Sequence, residues 1–159
     1  YFFATDPSGA LEYAAAKTVS ALGRTGSAIN WLDSALEKKP FRASCAALLA
    51  DICLEKKIYT RALDCYRTAE VEGLHSDRTG LGILQCLHEL GRFDELAAEA
   101  DRHTFKDPAA GMESLYLRAR ALIGSGENAE ATGLLKGLLQ AASSPVWKAR
   151  FCYLLGELR

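Results

Sequence analysis

The chain has 159 residues, of which 49% are hydrophobic and 25% are charged. These values are typical of a soluble globular protein, and they exclude the disordered and collagen-like classes. Nineteen Lys and Arg against twenty Asp and Glu leave a formal net charge of −1, so the chain as a whole has no electrostatic attraction for nucleic acid or an anionic membrane.

The sequence contains no recognisable membrane or targeting segment. No stretch approaches the roughly 18–20 apolar residues that cross a bilayer, and residues 1–6 lack the basic region and apolar core of a signal peptide. We therefore expect no membrane insertion. Because the sequence begins without Met, we also expect a fragment of a longer protein.

The cysteines and histidines are not spaced like metal ligands. The five cysteines contain no C-x-x-C pair, and His75, His88 and His103 are too far apart for a short metal-binding motif, so we expect no metal site. Free cysteine behaves as a small hydrophobic residue in a core, and this predicts buried free thiols. An intracellular, reducing compartment follows, either the cytoplasm or the nucleus.

The four prolines share one phase along the chain. The positions of Pro7, Pro40, Pro108 and Pro145 differ by 33, 68 and 37, close to one, two and one multiples of about 34. Because proline lacks the N–H that a helix interior needs, these positions predict recurring breaks between helices. In residues 72–77, Gly and Ser/Asp signals supply the break that has no proline.

Glycines lie midway between these breaks. Gly23 and Gly91 both stand in a Leu-Gly-Arg sequence, two repeat lengths apart, and Gly126 follows about one repeat length later. Glycine just after the last apolar residue of a helix adopts the left-handed cap at little cost. Each unit of about 34 residues is therefore predicted to contain two helices joined by a tight turn.

Small or apolar residues recur where the two helices of a unit should touch. One repeat length separates each of these from the next: Ala28, Ala62, Leu96 and Ala131. The side chains four and seven positions after each of these residues complete one apolar stripe along each second helix.

The predicted helices form four pairs followed by a single helix. In chain order they span residues 8–22 and 25–38, 42–56 and 59–72, 76–90 and 93–105, 110–124 and 127–142, and 145–158. No window alternates apolar and polar residues in the way of a strand rich in Val, Ile and Thr. The sequence therefore predicts an all-α fold.

A helix–turn–helix unit of about 34 residues, with a turn glycine, a small residue opening the second helix and a proline at its end, resembles the tetratricopeptide repeat. The best-matching stretches are Leu22–Ala28 with Ala35 and Pro40, Tyr59–Ala62 with Tyr66 and Ala69, and Leu90–Phe93 with Pro108. The first helices depart from the family pattern. Its early Trp position holds Glu12, Ala46, Gly80 or Leu115, and Arg118 stands where an apolar residue is usual.

The resemblance implies a right-handed α-solenoid of antiparallel helix pairs, in which each pair buries its apolar face on its neighbours. Residues 1–7 would be the tail of a preceding repeat or a linker, and residues 145–159 a capping helix or the start of another repeat. The four repeats between them would span 8–40, 41–75, 76–108 and 109–144.

The resemblance also implies a concave groove, lined by the first helices, that binds a peptide or helix of another protein. We therefore expect a scaffold or adaptor segment of a multi-subunit assembly. The residues projected into the groove as candidate contacts are Tyr13, Lys17, Arg78, Gln85, Tyr116, Arg120 and Trp147. The remaining predicted lining is Ser20, Asp51, Leu54, Leu81, His88 and Arg150. Aromatic and Arg side chains are the usual binding anchors among such residues.

Other functions fit the sequence less well. Some relatives hold the C-terminal carboxylate of chaperone peptides with groove Asn residues, but Asn30 and Asn128 both belong to second helices, so we do not expect that ligand. No G-x-S-x-G, H-E-x-x-H, P-loop or G-x-G-x-x-G motif is present, so we expect neither an enzyme nor a bound cofactor. The Gly124–Gly126 triplet is predicted to be a turn, and the acids Glu12, Asp33 and Glu37 to face water.

Two alternatives stay open. The chain could be a regulatory repeat array attached to a catalytic domain outside this segment. RNA recognition by a related class of slightly longer helical repeats is less favoured, because most spacings here match the shorter repeat and the chain is not basic.

Overall fold

The computed structural model describes residues 8–159, apart from the side chain of Lys39. Its elements are α1 (Ala10–Ala21), α2 (Thr25–Ala35), a 3-10 helix (Lys39–Phe41), α3 (Arg42–Glu55), α4 (Tyr59–Val71), α5 (Asp77–Glu89), α6 (Phe93–Arg102), α7 (Pro108–Ser125), α8 (Asn128–Ala141) and α9 (Pro145–Glu157). No strand occurs in these residues, which confirms the all-α prediction. Every helix end lies within three residues of its predicted position.

The start signals read from the sequence act as predicted. Pro108 and Pro145 occupy the first turns of α7 and α9, where the missing N–H costs nothing. Asp107 caps α7 by accepting a hydrogen bond from the N–H of Ala109 (3.2 Å). Pro7 and the predicted tail over 1–7 lie outside the described residues. None of the helices that the structure describes has the length and apolar character needed to cross a bilayer.

The chain divides into two compact units. The first ends at Cys86, and the second covers Leu87–Arg159. In the first unit α1 packs on α2 and α3, α2 packs on α3, and α3 packs on α4. In the second unit α6 packs on α7, α7 packs on α8 and α9, and α8 packs on α9. Both units therefore contain a helix that packs on the next helix and on the one after it.

A single turn geometry joins the two helices of each pair. Gly23, Gly91 and Gly126 have φ values of 80°, 70° and 85°, as their predicted capping role requires. At each turn, the residue with positive φ donates its N–H to the carbonyl three residues earlier, and the next residue donates to the carbonyl five residues earlier. This pattern is the Schellman motif, and it satisfies carbonyls that the helix end would otherwise leave unpaired. Of the predicted Gly124–Gly126 turn, the first two residues still belong to α7.

The second pair forms the same turn without glycine. Lys57 stands one repeat length after Gly23 and has a φ of 60°. Its N–H donates to Leu54 O (3.0 Å), and the Ile58 N–H donates to Cys53 O (2.8 Å). The sequence gives no local signal for this turn, because lysine disfavours the left-handed conformation, which costs it about 1–2 kcal/mol. The two helices that flank the turn, α3 and α4, impose this conformation.

Replacing Lys57 by Gly should raise the free energy of unfolding by about 0.5–1 kcal/mol. Glycine removes the left-handed strain of about 1–2 kcal/mol but adds about 0.4–1 kcal/mol of unfolded-state entropy. Urea unfolding of the two proteins measures the difference.

Gly23→Ala is the matched control for that substitution. A Cβ at Gly23 meets nothing within 4 Å, so any loss of stability comes from the backbone conformation alone. We expect a loss of about 1 kcal/mol. A destabilised Lys57→Gly, or a stabilised Gly23→Ala, would contradict the turn geometry.

The predicted contact positions of the second helices are buried. Ala28, Ala62, Leu96 and Ala131 are all 0% exposed. Of the residues four positions further on, Leu32, Tyr66 and Leu135 are at most 1% exposed, whereas Ala100 is only half-buried. The stripe inferred from the sequence is therefore the face on which these helices pack.

Tyr66 fills the space beside a glycine of α5. An ideal Cβ on Gly82 would lie 2.4–2.9 Å from three carbon atoms of the Tyr66 ring. The ring cannot easily move away, because its hydroxyl donates a hydrogen bond to Asp51 Oδ1 (2.5 Å). Burial raises the pKa of Tyr66 and keeps that hydroxyl protonated. Close contact between α4 and α5 therefore requires the missing side chain at Gly82.

Gly82→Ala should lower the free energy of unfolding by about 1–2 kcal/mol, since overpacking of about 1–3 kcal/mol outweighs the helix preference of Ala over Gly. Gly133→Ala in α8, where an added Cβ meets nothing within 4 Å, should instead stabilise by about 0.5–1 kcal/mol. Thermal or urea unfolding of both variants tests the contact. Equal changes in the free energy of unfolding of the two variants would show that the Tyr66 ring moves away from a Cβ added at position 82.

The prediction that Glu12 faces water is wrong. Glu12 is 0% exposed, and its carboxylate forms an ion pair with Lys38, which follows α2. It lies on α1, which packs against both α2 and α3. The predicted exposure of Asp33 and Glu37 is confirmed. Glu12 is therefore buried because of its position in the helix pair, despite the polarity of its side chain.

Four of the five cysteines are buried free thiols, as predicted: Cys45, Cys53, Cys65 and Cys86. Burial is the main reason that the pKa values of Cys45 and Cys65 rise to about 11, so both thiols stay protonated and act as core residues. The prediction is wrong for Cys152, which is exposed on α9. The face of α9 that packs inward carries Phe151 and Leu154 instead.

Candidate partner-binding surface

The predicted contact residues are divided between the two units. Tyr13, Lys17, Arg78 and Gln85 belong to the first unit, and the others, Tyr116, Arg120 and Trp147, belong to the second. All seven lie on the first helices of their pairs or on α9.

In the first unit the structure uses some of these side chains for packing. The half-buried Tyr13 ring lies beside Phe41, with ring centroids 6.1 Å apart. Lys17 on α1 and Gln85 on α5 are exposed. Tyr13 therefore stabilises the junction between α1 and the start of α3, while Lys17 and Gln85 remain predicted contacts with a partner.

Arg78 also has a structural partner. Its guanidinium forms an ion pair with Asp51, the same carboxylate that accepts the Tyr66 hydroxyl. One carboxylate on α3 thus receives donors from α4 and α5. The Arg78 side chain is nevertheless 67% exposed, so its outer surface stays accessible.

In the second unit the predicted residues come together. Tyr116 and Trp147 lie with ring centroids 6.2 Å apart. The guanidinium carbon of Arg150 is 4.7 Å from both centroids, and that of Arg120 is 5.9 Å from the Tyr116 centroid. These distances are within the range of cation–π attraction. We call these four residues, together with Glu113, the aromatic–arginine cluster.

The cluster forms because two helices present matching faces to each other. Glu113, Tyr116 and Arg120 are three and four positions apart on α7, and Trp147 and Arg150 are three apart on α9. The Trp147 ring stacks on the buried Phe151 (centroids 5.8 Å). Tyr116 and Trp147 also pack against a shared core, which consists of Ala119, Leu135, Leu138, Ala142, Phe151 and Leu154. The inner edges of the rings are thereby fixed, and their outer edges stay half-exposed.

The two arginines of the cluster differ in their ionic partners. Arg150 Nη1 lies 2.7 Å from Glu113 Oε2 and forms an ion pair with it. Within the described part of the second unit, no carboxylate lies within 4.0 Å of Arg120. Sequence reasoning missed Glu113. The available signal was its spacing of three and seven positions from Tyr116 and Arg120, which places it on their helix face.

The positive charge of Arg120 acts on His88. The half-buried His88 ring contacts Phe93 edge-on, with centroids 6.0 Å apart. Burial lowers the pKa of His88, and the positive charge of Arg120 lowers it further, against an opposing effect of Glu89. His88 is therefore neutral at pH 7 and adds no positive charge to the cluster.

A second surface feature of this unit lies apart from the cluster residues. A depression with about 400 Å³ of empty space is lined by Phe93, Asp94, Ala97, Arg118, Ala121, Leu122, Ser125, Glu127 and Glu130. Arg118 is already paired with Asp101 (2.6 Å). No three His, Cys, Asp or Glu side chains among residues 8–159 are grouped so that they could hold a metal ion.

The chain matches no family model, no curated protein and no solved structure.

Arg120→Gln should raise the pKa of His88, because it removes a nearby positive charge that disfavours protonation. NMR titration of the His88 ring measures the shift. Arg118→Gln is the matched control: Arg118 lies two positions away on α7 and is paired with Asp101, so the pKa of His88 should not change. An unchanged pKa in Arg120→Gln would mean that the two side chains are not neighbours.

Proposed function

We propose that this chain is part of a tetratricopeptide-type right-handed solenoid that holds another protein. The support for the repeat is the turn that recurs at positions 23, 57, 91 and 126, with the same hydrogen bonds each time. The buried residues at the start of each second helix recur with the same spacing. The packing of α1 on α3 and of α7 on α9 is what stacked helix pairs require.

The observation that carries the binding proposal is the aromatic–arginine cluster. Trp, Tyr and Arg are the residues most enriched among those that dominate binding energy at protein interfaces. Here they combine two half-buried rings with guanidinium groups held in place by those rings. Preorganised side chains lose little entropy when a partner binds, so more of the contact energy appears as affinity.

The outer face of α9 extends the same surface. Tyr153 is 65% exposed and lies three positions after Arg150, and Val146 at the start of the helix is 67% exposed. Large apolar side chains beside a cluster of Arg and aromatic residues are typical of a protein interface. We therefore assign the main contact with the partner to α7 and α9.

A photo-crosslinking amino acid at position 153 tests this assignment in cells that express the full-length protein. Tyr153 is exposed and is not needed for the core, so an aromatic crosslinker should leave the fold unchanged. We expect a single major adduct with a partner protein, identified by mass spectrometry.

The same crosslinker at Gln140, which is exposed on α8, is the control and should give little of that adduct. Adducts formed from position 140 but not from position 153 would place the interface on the second-helix surface. If neither position 153 nor position 140 gave a protein adduct, partner binding by the second unit would be refuted.

A further inference from the structure

We propose that Arg120 is the anchor for a carboxylate side chain in an acidic segment of the partner. This inference rests on the proposed partner-binding function and names the chemistry that the aromatic–arginine cluster recognises. It depends on a contrast between the two arginines of the cluster.

Arg150 is already satisfied inside the protein. Its guanidinium lies over the rings of Tyr116 and Trp147, 4.7 Å from each centroid, and is paired with Glu113 at 2.7 Å. A partner that used Arg150 would have to displace Glu113. Arg150 therefore acts as a positioning residue that fixes the two rings and neutralises the nearby carboxylate.

Arg120, in contrast, has no ionic partner in the described part of its unit. It is half-buried, leans on the Tyr116 ring at 5.9 Å and has no carboxylate within 4.0 Å in the described part of its unit. A guanidinium that has lost part of its hydration gains most from an ionised acceptor, and its planar fork matches a carboxylate in a bidentate arrangement. Because the planar guanidinium fork is preorganised, little entropy is lost for each hydrogen bond that it forms.

The charges around Arg120 favour an anion as the occupant. Arg120, Arg150 and Glu113 together give the cluster a charge of +1. His88, whose pKa the Arg120 charge lowers, is neutral at pH 7. The half-exposed rings of Tyr116 and Trp147 offer apolar contact next to the guanidinium. The surface therefore fits a segment in which Asp or Glu stands beside an apolar residue.

An internal carboxylate fits better than a phosphate group or a chain terminus. One guanidinium without an ionic partner matches one carboxylate, whereas a phosphate of charge near −2 is best held by several cationic donors. The cluster also contains no Asn or Lys that would add donors for a terminal carboxylate. A peptide of the partner segment should therefore still bind when its terminal amino and carboxyl groups are chemically blocked.

Selection from a library of random peptides tests this inference. The peptides are displayed with their carboxyl ends fused to a carrier, so no free terminal carboxylate is present. The wild-type chain should enrich sequences that contain Asp or Glu next to an aliphatic or aromatic residue. Arg120→Gln should lose the enrichment of acids, and Arg118→Gln, which removes an arginine already paired with Asp101, should keep it.

The affinity of one selected peptide measures how strongly its acid interacts with Arg120. Replacing its acid by the matching amide, or Arg120 by Gln, should each weaken binding about ten- to a hundredfold, as expected for a hydrogen-bonded charged pair. The two changes combined should weaken binding little more than either alone. Additive losses would show that the acid and Arg120 do not contact each other.

His88 provides an independent measurement of the bound state. A carboxylate on Arg120 offsets the positive charge that lowers the pKa of His88, so binding should raise that pKa. The groups facing His88 are Arg120, Glu89 and the Phe93 ring. Affinity should accordingly increase as the pH falls through the titration of His88, and this dependence should disappear in Arg120→Gln.

The outcomes separate this inference from the function it rests on. Peptides enriched without acids, or an enrichment of acids that survives Arg120→Gln, overturn the role of Arg120 while the crosslink from position 153 still supports partner binding. If neither position 153 nor position 140 gives a protein adduct, the proposed function fails, and this inference fails with it. Equal losses in Arg118→Gln and Arg120→Gln would reduce the effect to nonspecific attraction between charges and overturn the inference.

Discussion

The left-handed turn that ends the first helix of each pair is the constraint that organises the whole fold. A residue with positive φ at positions 23, 57, 91 and 126 lets two successive N–H groups return to the helix that has just ended. The chain then reverses within about three residues, so the next helix must lie against the previous one. Because the turn recurs at almost constant spacing, the fifth residue after each positive-φ position is buried in each second helix: Ala28, Ala62, Leu96 and Ala131.

The side chains within each unit follow from that reversal. Helices brought so close together need small residues at the contact, which Ala28, Ala62 and Ala131 supply, or a glycine such as Gly82 where a large ring already fills the space. A buried position can even hold a charge. Glu12 is kept there by Lys38, an arrangement that costs desolvation of both groups and is stable only while the pair is intact.

The aromatic–arginine cluster is a product of packing between α7 and α9. Neither helix alone would place a guanidinium over two rings, since Tyr116 belongs to α7 and Trp147 to α9, with the whole of α8 between them in the chain. Their shared core fixes one side of each ring and leaves the other side toward solvent. A surface that combines aromatic rings with a net positive charge is a consequence of this geometry, and binding of an acidic partner segment is the use we propose for it.

Local signals in the sequence were enough to predict the helices, their ends, the turn glycines and the buried stripe, because capping, proline placement and helical periodicity depend on near neighbours. The spacing of the predicted helices also placed Tyr116, Arg120 and Trp147 on one predicted surface, and the structure brings these side chains together. Long-range packing was needed to show that Lys57 adopts the turn without glycine, that Glu12 is buried and that Cys152 is exposed. Packing likewise pairs Glu113 with Arg150 and leaves Arg120 without a carboxylate in the described part of its unit. Each of these features depends on which side chain from a distant segment arrives at the same place, and such pairings between segments leave no periodic signal in one chain.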